Sequence, residues 1–85
     1  MAVDYEEDLE WFVLEMKLKL DINKHKGTWK NDAINRLFDM LEDEVNELFA
    51  EITELEISNE NIIKECADIA NFAMFIAERA KSCIK

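Results

Sequence analysis

Glu44-Val-Asn-Glu47 and, seventeen residues further on, Glu65-Cys-Ala-Asp68 are the residues of this chain whose types and spacing suit chemistry. An i, i+3 pair of acids lies about 60° apart on a helix, so each tetrad points two carboxylates to one side. If the two helices pack antiparallel through a short connection, four carboxylates converge. Hard oxygen donors without His or Cys suit Mg²⁺ or Mn²⁺ rather than zinc. A di-iron site of the ferritin kind would want Glu-x-x-His, and the single histidine, His25, lies far along the sequence from either tetrad.

Acid pairs at this spacing are common here: Asp4/Glu7, Glu7/Glu10, Asp39/Glu42 and Glu51/Glu54 share it, and most such pairs wet a surface. Glu65 and Asp68 differ because the stretch 61–77, NIIKECADIANFAMFIA, offers so little polar surface. Burying an ionised carboxylate alone is prohibitive, and two at about 6 Å repel by roughly 3 kcal/mol at an effective dielectric of ~20. Three remedies exist: a shared proton, basic partners or a metal ion. Basic partners look scarce, since Lys64 and Arg79 are the only bases between Glu60 and Ala80; Lys64 lies about 100° around the helix from Glu65, and Arg79 is about three turns away from Asp68. A metal ion is therefore the expected remedy.

The elements that must position these acids are helices. The chain has no proline and one glycine, Gly27, and is rich in Ala, Leu, Glu, Lys, Ile and Met. Over 3–22, Tyr5, Leu9, Phe12, Met16 and Leu20 form one apolar stripe, and Trp11, Leu14, Leu18 and Ile22 a second. Two stripes imply two neighbours, the chain's own core and another subunit. NKHKGTWK (23–30) interrupts the pattern, with Gly27 suited to a left-handed turn. The spacing predicts a second helix over 31–55, with Ile34, Leu37, Phe38, Leu41, Val45, Leu48, Phe49 and Ile52 on its apolar face. After the polar EISNE (56–60), with Ser58 or Asn59 as N-cap, a third helix over 60–81 is apolar nearly all round. Such a helix must be surrounded, which two other helices of one short chain can hardly achieve. The expected fold is one all-α domain spanning 1–85: a three-helix chain assembling into an oligomeric helical bundle, its four-helix-bundle-like core completed by a second subunit.

Charge narrows the function. With 20 acids against 10 bases the formal net charge is −10, which argues against a nucleic-acid polymer or an anionic membrane as partner. Lys17, Lys19, Lys24, Lys26 and Lys30 nevertheless gather in one stretch, opposed there only by Asp21. Lys17 and Lys19 read as surface residues. Cys66 and Cys83 lack a CxxC spacing and read as reduced, buried thiols. The acidic start MAVDYEEDLEW is unlike a signal peptide and no apolar run is long enough to span a bilayer, so the expected setting is cytoplasmic.

The order and spacing of the tetrads, within HKGTWK…LEDEVNELFAEI…IIKECADIANFAMFIAE over about 25–78, resemble the ExxE…ExxD signature of the MazG-type all-α nucleoside triphosphate pyrophosphohydrolases. The resemblance implies Mg²⁺-dependent hydrolysis of a (deoxy)nucleoside triphosphate to monophosphate and pyrophosphate in nucleotide-pool housekeeping, by a homodimer or homotetramer. Carried over by position, Glu44, Glu47, Glu65 and Asp68 are the catalytic metal ligands. The chain departs from longer members in lacking a clear fourth helix and a second catalytic repeat. The substrate-binding candidates are Lys24, Lys26 and Lys30 as a phosphate clamp, Trp29 as a base-stacking platform or a lid on the helix ends, and His25 as a phosphate or base contact. Asn71, at i+3 from Asp68, would reach substrate or a metal-bound water, or be a satisfied amide of the bundle. Phe72 and Phe75 continue the face of Glu65 and Asp68 and read as core. The competing reading is a non-catalytic helical interaction protein with a structural cation site.

Overall fold

The computed structural model describes residues 4–24, 27 and 29–84, and they form three helices: α1 (Glu6–Asn23), α2 (Ile34–Ile52) and α3 (Asn59–Ser82). No strand occurs among them. No helix among the described residues is long and apolar enough to cross a membrane.

Local chemistry accounts for the helix ends. Asp4 Oδ1 accepts from the Glu6 backbone N–H at 3.0 Å, and Glu6, Glu7 and Asp8 place acids in the first turn, where the helix dipole favours them. Among the described residues the helix starts at Glu6, after Asp4 and Tyr5. α2 begins three residues later than the spacing predicts. A turn closed by Asp32 N–H on the Trp29 carbonyl occupies 29–32, and Ala33 is extended, so the chain cannot yet be helical. At its other end the Thr53 hydroxyl donates to the Phe49 carbonyl at 2.9 Å and the helix stops at Ile52, short of Leu55. Ser58 is the N-cap of α3, accepting from Asn61 N–H at 3.2 Å. Gly27 has φ +96°, the left-handed conformation for which glycine is suited.

α1 and α2 both pack on α3 and not on each other. Their directions follow from the cross-links. Asn61 of α3 lies by Glu51 of α2, while Glu65 lies by Glu44 and Glu47. Asn71 reaches Met16 of α1, and Asp68 reaches Lys19. Both outer helices thus run antiparallel to α3. The buried positions among the described residues are few: Leu37 on α2 and Ala67, Asn71 and Phe75 on α3.

The apolar face of α2 is only half used. The side turned to α3 carries Leu37, Met40, Leu41, Glu44 and Leu48, all buried or half-buried, whereas Ile34, Phe38, Val45, Phe49 and Ile52 are exposed. At 100° per residue the buried side is centred roughly 60–80° from the middle of the hydrophobic stripe. This rotation brings Glu44 inward. On α1 the stripes behave as expected in part: Phe12, Met16 and Leu20 turn inward, and Trp11, Leu14, Leu18 and Ile22 are exposed. Tyr5 and Leu9, which share the stripe of Phe12, Met16 and Leu20, are exposed as well. Cys66 is half-buried, but Cys83 sits exposed at the C-cap of α3, contrary to the expectation that both thiols are buried; both are free.

Candidate metal centre

Because the outer helices splay apart over α3, a cavity of about 670 Å³ opens between them. α1 contributes Lys19, Leu20 and Asn23; α2 contributes Leu37, Met40, Glu44 and Glu47; α3 contributes Glu65, Asp68, Asn71, Phe72 and Phe75; and Lys24, Gly27 and Trp29 close one side. All four acids singled out by spacing line this one space.

They are not equivalent within it. One carboxylate oxygen from each of Glu44, Glu47 and Glu65 lies within 4.8 Å of the others. Asp68 stands outside that group and is paired with Lys19, Nζ to Oδ2 at 3.2 Å. Both side chains of the pair are mostly buried, at 20% and 15% exposure. The expectation that Lys19 is a surface residue is therefore corrected, and the basic partner that looked scarce along α3 is supplied to Asp68 by another helix. The partner comes from α1, some fifty residues away in sequence. A sign of it was available: Lys19 stands three residues after Met16 and next to Leu20, at the edge of the stripe that turns inward.

Electrostatics within the group are strained. Oε2 of Glu44 and Oε2 of Glu65 are buried without a hydrogen-bond donor. Desolvation raises the Glu44 carboxyl to about pH 8, helped by the neighbouring Glu47 carboxylate and by repulsion from Asp68. Desolvation also raises Glu65, with Glu47 and Asp68 adding to it and the shared contact with Glu44 opposing it. Glu44 is thus the acid that keeps a proton near neutrality, and a protonated Glu44 can donate to the carboxylates beside it. Were both half-buried acids ionised at about 5 Å, they would repel by roughly 3 kcal/mol at an effective dielectric of ~20.

The donor set fits a hard divalent cation. It is all oxygen, it includes buried carboxylate oxygens that lack donors, and it comes from two rigid helices. Asn71 adds to this. It is 4% exposed, its Nδ2 donates to the Met16 carbonyl at 3.0 Å, and its Oδ1 has no donor. The amide is therefore anchored to α1 by one end, as an amide of the bundle, and leaves an acceptor by the cavity one turn beyond Asp68.

The substrate-binding candidates separate. Trp29 stacks on Phe75 with ring centroids 4.5 Å apart and planes 16° from parallel, and Phe72 meets Phe75 edge-on at 5.4 Å. Trp29 is thus a lid on the bundle and a wall of the cavity at once. Phe72 lines the cavity also, so it is core and wall together. Lys24 is exposed and lines the cavity. Lys30 lies 5.8 Å over the Trp29 ring and is not among the residues that line the cavity. His25 and Lys26 lie outside the described residues. Sequence reasoning missed Lys19 and undervalued Phe75 as the floor on which Trp29 rests.

No family model matches the chain, and no curated protein or solved structure matches it.

Proposed function

We propose that this protein is a Mg²⁺- or Mn²⁺-dependent nucleoside triphosphate pyrophosphohydrolase of the kind its tetrads resemble. The observation that carries the reading is the convergence of Glu44, Glu47 and Glu65 within 4.8 Å, two of them with buried oxygens lacking donors, in a cavity that also holds lysines and aromatic rings. Acids this close, with no donor for their buried oxygens, are costly to a fold unless something of opposite charge visits them.

Glu44, Glu47 and Glu65 would hold the cation, with Asp68 as the fourth ligand. A cation bound there would reverse the local field, polarise a phosphoryl oxygen and acidify a coordinated water. The other roles fall to the chain. Glu44 must surrender its proton before it can ligate. Lys24, exposed at the wall of the cavity, meets the triphosphate tail. The Trp29–Phe75 stack and Phe72 supply an apolar wall against which a base can lie, while Asn71 offers its fixed acceptor to a substrate or water donor.

The active form is a homodimer or homotetramer. The accessible surface is 6933 Å², whereas a compact 10.0 kDa monomer is expected to show about 5,200 Å². Trp11, Leu14, Leu18 and Ile22 on α1 and Phe38, Val45, Phe49 and Ile52 on α2 make up two apolar strips of the kind obligate interfaces cover. A second subunit laid on them completes the bundle around α3.

The deciding experiment measures pyrophosphate release from a panel of ribo- and deoxynucleoside triphosphates with Mg²⁺ or with excess EDTA. Release is expected only with the metal, and Glu65→Gln or Asp68→Asn should abolish it while leaving the helical circular dichroism intact. Undiminished release in EDTA, or none from any nucleotide with either metal, sinks the proposal.

A further inference from the structure

Lys19 and Asp68 form a pair of an unusual sort for this site. The acid lines the same cavity as the three clustered carboxylates and belongs to one tetrad with Glu65, yet its charge is matched by a lysine of another helix. The contact is single, through Oδ2 alone, and at 3.2 Å it is longer than the roughly 2.7–2.9 Å of a tight charge-assisted bond. A lysine ammonium makes a point contact without the geometric lock of a guanidinium fork. Such a pair holds until a stronger cation competes for the carboxylate.

The neighbourhood suits an exchange. One turn away Asn71 Nδ2 holds the Met16 carbonyl, so α1 and α3 are linked at two successive rungs. Breaking the Lys19 rung leaves the Asn71 rung in place, and α1 need not leave α3 when Lys19 lets go. The unpartnered Oδ1 of Asn71, on a side chain 4% exposed, marks this end of the cavity as built for something besides its own residues.

We propose that Lys19 is a positioning residue that stands in for the cation: it holds Asp68 apart from the Glu44–Glu47–Glu65 group in the metal-free protein and yields it when a divalent ion binds. The inference rests on the reading of the cavity as a cation site and adds a residue that reading does not require. Lys19 makes metal uptake a competition, weakening affinity while keeping a spare carboxylate from adding to the repulsion among the others.

The test is a double-mutant cycle read by Mn²⁺ titration of the full chain without nucleotide. Lys19→Met keeps the length of the side chain and removes its charge, and should bind Mn²⁺ about fivefold to tenfold more tightly than the parent, the range expected for losing one partly solvated competing pair. Asp68→Asn should bind more weakly than the parent. In the Asp68→Asn background Lys19→Met should add nothing beyond about twofold, because the competition acts through that carboxylate. Lys19→Arg, which can grip Asp68 with two parallel bonds, should bind more weakly than the parent and serves if Lys19→Met does not fold. Lys19→Met binding no more tightly than the parent overturns the proposal. So does a gain that persists in full beside Asp68→Asn, since Lys19 would then act only through its field. Mn²⁺ binding to none of the proteins removes the cation-site reading itself, and this inference with it, which tells the two failures apart.

Discussion

Replacing Glu44 by Gln should stabilise the metal-free protein in alkaline solution, although it removes a residue proposed to be functional. The Glu44 carboxyl is raised from 4.5 to about 8, first by desolvation and then by Glu47 and Asp68. The folded state therefore holds this proton more tightly than the unfolded chain does. The associated stability is present in full below about pH 4.5 and is lost as the pH climbs through about 8. For a sealed site the shift would convert to nearly 5 kcal/mol, but Glu44 is half-buried with one oxygen covered, and solvent screening reduces this to about 1–3 kcal/mol. Gln is isosteric, neutral at every pH, and donates to Glu47 or Glu65 as the protonated acid would. In excess EDTA, Glu44→Gln and the parent should thus melt alike near about pH 5 and separate by about 5–15 °C near about pH 8.5, the variant higher. Saturating Mg²⁺ should reverse the order, since a ligand at about a hundred times its Kd adds about 2.7 kcal/mol to a parent that binds it. The assay is thermal and urea unfolding followed by circular dichroism at one fixed protein concentration across the pH series. Equal separation of the two proteins at all pH values, or a Glu44→Gln variant less stable than the parent at high pH in EDTA, would refute the reasoning.

Two further outcomes follow from the same geometry. Sedimentation should find a dimer or tetramer at micromolar concentration, and Leu18→Lys together with Phe49→Lys should yield a lower mass; a folded parent monomer at that concentration would contradict the assembly. In steady-state kinetics Lys24→Ala should weaken use of the triphosphate by about tenfold, as expected for one charge-assisted contact, without changing Mn²⁺ affinity. Lys30→Ala, set over Trp29 and not lining the cavity, should have a smaller effect, and parental kinetics in both variants would assign the phosphate contacts elsewhere.

What could be read from the sequence follows from how local each cause is. The absence of proline, the single glycine and the helical spacing of apolar residues are local signals, and they yield three helices with Ser58 capping the last and Gly27 in a left-handed turn. The start of α2 is less local. Nothing in WKNDA forbids a helix, and the delay to Ile34 depends on the turn that Trp29 makes while stacked on Phe75, a contact 46 residues away. Which flank of an apolar stripe is buried is not local at all. The stripe of α2 is wide enough for two neighbours, and the flank nearer Glu44 meets α3 while Phe38 and Phe49 stay exposed.

The spacing argument for a metal rested on the scarcity of bases beside Glu65 and Asp68 along one helix. That scarcity is a property of α3 alone, and the helix crossing it from the other side carries Lys19 to within 3.2 Å of Asp68. All three remedies for crowded carboxylates then bear on one cavity. Burial raises Glu44 toward its protonated form, a lysine answers Asp68, and the buried Oε2 of Glu65 has no donor among the described residues. The proton and the lysine therefore do not make a cation superfluous. On the proposed reading they would make it an exchange partner: a divalent ion drawn in by Glu47 and Glu65 would gain its further ligands by displacing a proton from one helix and an ammonium from the other. Each displaced charge lowers the net affinity, because the carboxylate it leaves was already partly satisfied. A cation site built this way would hold its metal less tightly than four bare acids, while the fold is spared the strain that four bare acids would impose.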